Sequence, residues 1–331
     1  MKALVTGATG FIGSHVAKRL IEHGWQVNVL ARKSSNLGNL ESLDVNICYG
    51  DLKDYGSLEE AASGCKALFH VAASYSFWSP DPGEVYRINV EGTKNVIKAA
   101  LSSGAEKIVY TSSESTVKVS NGEVGREGAI CQPEEVAGDY KKSKVLAEAE
   151  VRKLCRKGYP VTIVNPTTPI GEKDIKPTPT GKVIVDFLAK RMPAYVNTGL
   201  NFIDVEDVAE GHVMALEQGE IGQNYILGNR NLTLKQMLEV LAEITGLDAP
   251  RRQIPIWLAL SAAHVDEFFS GKVLKKHPRI PLPAVKTARK FRFFDCSKAV
   301  KQLQLPQSPV EEAFYKSIKW FKDKGYVENR S

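Results

Sequence analysis

Short apolar segments alternate with helix-like segments through the first half of this 331-residue chain. Each helix-like segment ends at or near a glycine, which suits the C-terminus of a helix. The predicted strands are KALVTG, QVNVLA, VNICYG, ALFHVAA, KIVYTSS and VTIVNP. Strands that alternate with helices form right-handed crossovers and a parallel sheet that is buried on both faces. The pattern therefore predicts an α/β fold with a doubly wound parallel sheet.

The chain changes character after Pro166, where the segment NPTTPIGEKDIKPTPTGK is rich in Pro, Gly and Thr. NFIDVEDVAEGHVMALEQG predicts a return to the sheet domain, and LTLKQMLEVLAEITG predicts an amphipathic helix that begins a smaller domain. We therefore predict a first domain of residues 1–166 plus about 200–228. The second, mixed domain would comprise about 167–199 and 229–331, and would bind the substrate.

The composition is ordinary for a globular enzyme, with 43% hydrophobic and 25% charged residues. A formal net charge of +6, without a long basic block, argues against a dedicated nucleic-acid-binding protein. Five scattered cysteines and six histidines without metal-ligand spacing predict reduced thiols and no metal site. Met1 leads directly into a predicted strand, and no apolar run reaches roughly 18 residues. We therefore expect a cytoplasmic protein without a signal peptide or a transmembrane segment.

Three glycines lie between the first predicted strand and the first predicted helix, in the segment VTGATGFIGSHVAKRL. Gly7 permits a tight turn, Gly10 lets the backbone approach a pyrophosphate, and Gly13 lets the helix pack closely on the strand. The helix N-terminus then offers N–H groups and a positive dipole to the phosphates. The segment thus predicts a dinucleotide site. We assign to it Gly7, Thr9, Gly10, Phe11, Ile12 and Gly13.

A tyrosine and a lysine four residues apart, Tyr140 and Lys144 in DYKKSK, share one face of a predicted helix. A phenol has a pKa of about 10, which is far from neutral pH, and a neighbouring ammonium lowers it. The pair is therefore suited to give and take the proton when a carbonyl and an alcohol interconvert.

Together with G-x-x-G-x-x-G, this pair resembles the extended subgroup of the short-chain dehydrogenase/reductase superfamily, over essentially the whole chain. The resemblance implies that Tyr140 is the general acid and base, that Lys144 also binds the nicotinamide ribose, and that Ser113 in YTSSEST orients the carbonyl. It implies that Asp51 contacts the adenine and Leu52 packs beside it, although Asp51 could instead cap a turn. Further cofactor contacts are implied for Val71, Ala72, Ala73, Thr111, Tyr140, Pro166 and Thr167.

The second predicted strand ends in Ala31-Arg32-Lys33, with no acid before Glu41. An acid near this position would hold the ribose hydroxyls of NAD, whereas a guanidinium clamps the 2′-phosphate of NADP. Arg32 and Lys33 therefore predict a preference for NADP(H), with NAD(H) as the alternative cofactor. The other interpretation is that both are solvated loop cations.

Near the C-terminus, FFDCSKAVKQLQLP resembles dihydroflavonol-reductase-like enzymes, while IKPTPTG, RMPAYVNTGLNF and YILGNRNLT resemble hopanoid-associated sugar-epimerase-like proteins. We predict an NADP(H)-dependent oxidoreductase that interconverts a carbonyl and a secondary alcohol. The alternative is a nucleotide-sugar epimerase or dehydratase with tightly held NAD(P), linked to hopanoid or other lipid biosynthesis. A catalytically silent NADP(H)-binding regulator is the second alternative, and it predicts decay of the Ser–Tyr–Lys set.

The substrate side is marked by Glu114, Tyr75 and Trp78. Glu114 is interpreted as a loop carboxylate, although dehydratases use acids close to this position. Tyr75 and Trp78 follow the fourth strand, where ligands bind, and suit either a substrate wall or core packing. Residues 268–294 contain eight Lys or Arg and no acid. They could bind a phosphorylated substrate, contact an anionic membrane, or form a solvated loop. We expect a small-molecule carbonyl or sugar substrate and a monomer or homodimer.

Overall fold

The computed structural model describes residues 1–75, 81–120, 122–128, 130–273, 278 and 281–327. The strands are β1 (Lys2–Thr6), β2 (Gln26–Ala31), β3 (Asn46–Tyr49), β4 (Ala67–His70), β5 (Lys107–Thr111), β6 (Val161–Pro166), β7 (Thr168–Ile170), β8 (Tyr195–Val196), β9 (Gly199–Asp204), β10 (Asn224–Leu227), β11 (Arg230–Thr233) and β12 (Gln253–Ile254). The α-helices are α1 (Phe11–Glu22), α2 (Tyr55–Ala62), α3 (Pro82–Tyr86), α4 (Gly92–Ser102), α5 (Asp139–Arg156), α6 (Pro179–Leu188), α7 (Val205–Glu217), α8 (Leu234–Thr245), α9 (Ile256–Asp266), α10 (Leu282–Thr287), α11 (Ser297–Gln302) and α12 (Val310–Asp323).

The central sheet has seven parallel strands in the order β10-β6-β5-β4-β1-β2-β3. The six strands predicted from the sequence form six of these seven, so the predicted doubly wound α/β fold is confirmed. The seventh strand, β10, extends the sheet beside β6. Because all seven strands run in the same direction, the loops after β1, β2, β4, β5 and β6 meet at one edge. Ligands bind at this carboxyl edge in folds of this type.

Helices cover both faces of the central sheet. Helices α1 and α7 bury one face through apolar residues such as Leu20 and Val213, and α2, α4 and α5 bury the other through residues such as Leu58 and Val151. Between β4 and β5 the chain forms α3, a π-helical turn at Arg87–Glu91 and α4. Both faces are thus closed, as the continuous apolar strands require.

The smaller lobe contains two small sheets and its own apolar core. A three-stranded sheet has the order β11-β9-β7, and β12 pairs with β8. Helices α6, α8 and α12 pack around it through buried residues that include Phe187, Leu241 and Phe314. Strand β9, which the sequence suggested as a return to the main sheet, pairs instead with β7 and β11, whereas α7 after it packs in the main core.

Candidate active site

The glycine turn lies between β1 and α1, and its geometry requires glycine at two positions. Gly7 has φ +76°, and a Cβ there would lie 2.6 Å from the backbone nitrogen of Ala72. A Cβ on Gly13 would lie 2.2 Å from the carbonyl oxygen of Gly7. Helix α1 starts after Gly10 without a side-chain cap, so the N–H groups of its first turn remain for an anion. The backbone around Gly10 thus fits a pyrophosphate.

Gly10 and Gly13 should respond differently to alanine. A Cβ at Gly10 meets only the Gly7 carbonyl oxygen at 3.2 Å, so G10A should fold and weaken cofactor binding. The Cβ of G13A overlaps backbone atoms, and overpacking of this kind costs about 1–3 kcal/mol or more of unfolding free energy. Thermal melts and cofactor titrations of both variants check this, and an unchanged melting temperature for G13A would contradict it.

The adenosine side of the predicted site contains Arg32, Lys33, Asp51 and Leu52. Arg32 and Lys33 are exposed directly after β2, and no described carboxylate lies within ion-pair distance of either. One Asp51 carboxylate oxygen accepts the backbone N–H of Lys53 at 2.9 Å, which is the turn-capping role considered above. Leu52 is buried. The loops after β2 and β3 therefore lie together, with two unpaired cations at their edge.

The loop after β4 carries Val71, Ala72, Ala73 and Tyr75, all at least partly accessible. Asn89, in the π-helical turn, accepts the backbone N–H of Ser74 at 2.7 Å and donates to the hydroxyl of Ser143 at 2.8 Å. It thereby ties this loop to α5.

Two further residues, His70 and Trp78, belong to β4 and to the segment that follows it. His70 is a buried core histidine, because its ring nitrogens lie 2.7 Å and 2.9 Å from the hydroxyls of Thr6 and Thr93. Trp78, which we assigned to the substrate wall, lies outside the described residues.

Tyr140 lies in the first turn of α5, facing the turn after β5. The ring of Tyr75 meets it edge-to-face, with 4.7 Å between ring centroids. Burial raises the pKa of Tyr140 above its usual value, a hydrogen bond with Ser113 lowers it, and the nearby Glu114 raises it. The Ser113 hydroxyl oxygen accepts bonds from the backbone N–H and the hydroxyl of Ser115, so its own proton remains for donation. Ser113 and Tyr140 therefore converge on one point.

Lys144 is buried beneath Tyr140 on the same helix. Its ammonium donates to the Thr111 carbonyl at 2.7 Å and to the Tyr110 hydroxyl at 3.2 Å. Burial lowers the pKa of Lys144 to about 7, against the opposing effect of Glu148. We predicted that Lys144 lowers the pKa of Tyr140. In the structure, burial has the largest effect on this pKa and raises it, so the phenol keeps its proton. The arrangement suits a proton donor better than a phenolate.

Glu148 is a residue that sequence reasoning missed. It is 1% exposed, and one of its carboxylate oxygens accepts hydrogen bonds from Ser112 and Thr116 at 2.6 Å each and from Asn165 at 3.1 Å. The other carboxylate oxygen pairs with Arg152. Glu148 thus holds the turn that carries Ser113. A sequence signal existed, since Tyr140, Lys144, Glu148 and Arg152 recur every four residues along α5.

Glu114, assigned to the substrate side, forms an ion pair with Arg292 from the C-terminal lobe. The Arg292 Nε lies 2.8 Å from the carboxylate, and its Nη2 donates to the Glu114 carbonyl at 2.7 Å. Both side chains are largely buried. Burial would raise the pKa of Glu114, but Arg292 and the buried Lys141 outweigh it, and the pKa is lowered. Because 178 positions separate the partners, no local pattern could reveal this pair.

The remaining predicted cofactor residues follow β5 and β6. Pro166 and Thr167 are buried, and the Thr167 hydroxyl donates to Asn201 at 2.9 Å. The Thr111 hydroxyl bonds to His212, which is buried in α7. Among the described residues there is no group of three His, Cys, Asp or Glu side chains that could hold a metal ion. No described helix is both long and apolar enough to cross a membrane.

A glycine turn, a Tyr–Lys pair and a serine at the carboxyl edge of a parallel sheet agree with a family match. The model of the NAD dependent epimerase/dehydratase family matches residues 3–228. The chain belongs to this family. It is therefore an extended short-chain dehydrogenase/reductase, an NAD(P)-dependent oxidoreductase, as the sequence predicted.

Two relatives of this family member are similar over nearly the whole chain. A Synechocystis sp. protein with the provisional name dihydroflavonol 4-reductase is 45% identical, over 98% of this chain and 96% of its own. Sterol demethylase protein B of Methylococcus capsulatus is 30% identical, over 99% and 100%. The crystal structure of gox2253 is 42% identical with a TM-score of 0.88, and covers 98% of this chain and 99% of that chain. The chain is thus a reductase- or dehydratase-type enzyme that acts on a carbonyl or alcohol.

Proposed function

We propose that this family member is an NADP(H)-dependent reductase that converts a carbonyl compound into a secondary alcohol. The observation that carries the cofactor preference is the exposed pair Arg32 and Lys33 directly after β2. A guanidinium beside the adenosine ribose binds a 2′-phosphate through charge-assisted hydrogen bonds, which NAD cannot accept. The 45% identical Synechocystis protein, named as a reductase, supports net reduction.

The glycine turn would hold the pyrophosphate, and the ammonium of Lys144 the nicotinamide ribose. When bound, the reduced nicotinamide supplies a hydride to the carbonyl carbon. The Ser113 hydroxyl donates a hydrogen bond to the carbonyl oxygen and orients it. Tyr140 transfers its proton to that oxygen as negative charge develops there, and the product is the neutral alcohol. The raised pKa of Tyr140 keeps this proton in place at neutral pH.

The ion pair of Glu114 supports reduction over dehydration. A dehydratase needs an acid that protonates the departing hydroxyl, and a carboxyl is a good acid when its pKa is raised. Arg292 instead favours the ionised form of Glu114. It lowers the pKa of this carboxyl and forms an ion pair with the carboxylate. Glu114 then shapes the site as a fixed anion and takes no part in proton transfer.

Replacing Arg32 by alanine should weaken NADPH binding by about 1–3 kcal/mol and leave NADH binding unchanged, because only the 2′-phosphate loses its partner. Titrations of the wild type and R32A with both cofactors measure this. R156A is the matched control, since Arg156 is also exposed but lies at the far end of α5. An equal NADPH-to-NADH ratio in R32A and the wild type would refute the preference.

The reaction class needs its own test. The wild type should consume NADPH stoichiometrically with a carbonyl compound, measured by the loss of absorbance of the reduced cofactor across a panel of aldehydes and ketones. Nucleotide sugars should produce no net consumption and no rearranged or dehydrated product. Turnover of a nucleotide sugar without net oxidation of the cofactor would replace this proposal by an epimerase or dehydratase.

A further inference from the structure

The largest concentration of exposed apolar side chains among the described residues lies on α9 and on the π-helical turn Glu267–Val273 that continues it. Fourteen large apolar side chains of the described residues are exposed, and five of them fall in these two elements. We call these five the apolar face: Trp257, Leu258, Val265, Phe268 and Phe269, which are 43–63% exposed. Exposed patches of this kind mark contacts with another protein or a membrane.

The apolar face forms one continuous surface. Leu258, Ala262, Val265 and Phe269 line a shallow groove, and their spacing of three or four residues puts them on the same side of the helix. Helix α9 contains no charged residue before Asp266. The rings of Phe268 and Phe269 are 5.4 Å apart and edge-to-face. Ser261 and Asp266 lie at the same groove, so its lining is mainly but not wholly apolar.

Exposed cations lie on the segments that adjoin the apolar face: two precede α9, and three lie on or just after α10, which packs against α9. We call them the basic rim: Arg251, Arg252, Lys286, Arg289 and Lys290, all exposed. Among the described residues, none of the five has a carboxylate within ion-pair distance. Residues 251–292 contain ten Lys or Arg against two acids, Asp266 and Glu267. One of the ten, Arg292, is buried in its ion pair with Glu114. The described surface therefore combines five exposed apolar side chains with five exposed cations.

Helix α10, which carries Lys286 of the basic rim, also contacts the start of α5. A Cβ on Gly138, the residue before α5, would lie 2.9 Å from the ring of Pro283. The ammonium of Lys141 donates to the hydroxyl of Thr287 at 3.1 Å. The apolar face and basic rim are thus joined, through one short helix, to the first turn of α5, where Tyr140 lies.

We propose that the apolar face and the basic rim dock this enzyme on an anionic lipid surface. The docking delivers an apolar, lipid-phase carbonyl substrate to the cleft beside Tyr140. Aromatic and aliphatic side chains enter the boundary between headgroups and acyl chains, and the surrounding cations bind the headgroups. A second copy of the chain is a poor occupant, because a two-fold contact would bring two cationic rims together. The substrate class rests on the proposed reductase function, whereas the docking itself does not.

Co-sedimentation with vesicles tests the docking. The wild type should bind vesicles of phosphatidylcholine mixed with phosphatidylglycerol and bind pure phosphatidylcholine far more weakly. The triple variant K286Q/R289Q/K290Q should lose about a hundredfold in partitioning, which is about fivefold for each cation. W257S/F269S should lose about tenfold or more. The fluorescence of Trp257 should shift to shorter wavelength with anionic vesicles, and this shift should be missing from W257F.

Matched controls lie on α12 and at its C-terminal end. K319Q/K322Q/K324Q removes three exposed lysines and Y315S removes a side chain that is 59% exposed, and neither should change vesicle binding. Equal binding to neutral and anionic vesicles, or no binding to either, would overturn the proposal. So would a wild-type dimer, by light scattering, that W257S/F269S converts to a monomer without any effect on vesicles. Y140F should bind vesicles like the wild type, so failure of the reductase function and failure of docking are separate results.

Discussion

Replacing Tyr140 by phenylalanine should lower kcat for carbonyl reduction by about 10²–10⁴-fold, the usual contribution of a positioned general acid. The ring remains, so its edge-to-face contact with Tyr75 and the packing of α5 should be preserved. Cofactor titration should give a nearly unchanged dissociation constant, because Lys144 and the glycine turn are untouched. Steady-state kinetics beside the titration separates the two effects.

The matched control for Y140F is Y75F, which removes the hydroxyl of the neighbouring ring and keeps the same aromatic contact. It should retain kcat within a few-fold if Tyr140 alone donates the proton. Normal turnover by Y140F would remove Tyr140 from the mechanism, and Ser113 would then be the remaining hydroxyl at that point of the site. Loss of turnover in both Y140F and Y75F would show that proton donation requires the hydroxyls of both tyrosines.

Removing the Arg292 guanidinium should destabilise the protein by about 3–5 kcal/mol, because it leaves the carboxylate of Glu114 buried without its partner. The guanidinium also donates to the carbonyl oxygens of Glu114 and Val117, so the turn after β5 would lose three acceptor contacts. Urea unfolding of R292M at neutral pH measures the loss. An exposed pair gives the matched control: R126M breaks the bond to Asp295 and should cost less than about 1 kcal/mol.

The effect of R292M should depend on pH with a defined sign. In the wild type the pKa of Glu114 is lowered, so the pair stabilises the fold above the ordinary carboxyl pKa and loses this effect as the pH falls through the lowered value. In R292M the effect of burial is opposed only by Lys141, so the pKa of Glu114 should rise from its wild-type value. The loss of unfolding free energy caused by R292M then grows as the pH rises through the pKa range of the Glu114 carboxyl.

The difference in unfolding free energy between wild type and R292M should therefore be largest near neutral pH and shrink on acidification. E114Q/R292M should recover part of the stability, because no buried carboxylate is left without its guanidinium partner. The same double variant should still reduce carbonyl compounds, since Glu114 moves no proton in the proposed mechanism. A pH-independent difference would show that Arg292 acts through packing alone, and loss of reduction in a folded double variant would return Glu114 to the chemistry.

The central sheet and the glycine turn could be predicted because their signals are local. Continuous apolar strands, helix periods and the φ +76° of Gly7 depend on residues that are adjacent along the chain or one turn apart. Tyr140 and Lys144 could be predicted as a pair for the same reason, since four positions on one helix define a common face. The seventh strand β10 was missed because Tyr225–Leu227 is a short apolar run that gains its partner β6 only from the folded sheet.

The environment of the site was decided by contacts between distant segments. Glu148 supports the turn of Ser113 from helix α5, 36 positions beyond Ser112 in the chain, and Arg292 crosses from the small lobe to Glu114. The direction of the pKa shift of Tyr140 also depends on burial, and the spacing of residues along a helix gives no information on burial. A neighbouring lysine predicts a lowered pKa, whereas the buried site raises it.

By itself the sequence determined the fold class and the family, and it predicted the cofactor turn and the residues that give and take the proton, since each depends on short-range geometry along the chain. Only the tertiary structure decided that Glu114 is a paired anion, that Lys144 has a pKa of about 7, and that five apolar side chains share a surface with a basic rim. The physical reason is that desolvation and charge pairing depend on which segments are in contact, and contacts between distant segments exist only in the folded protein.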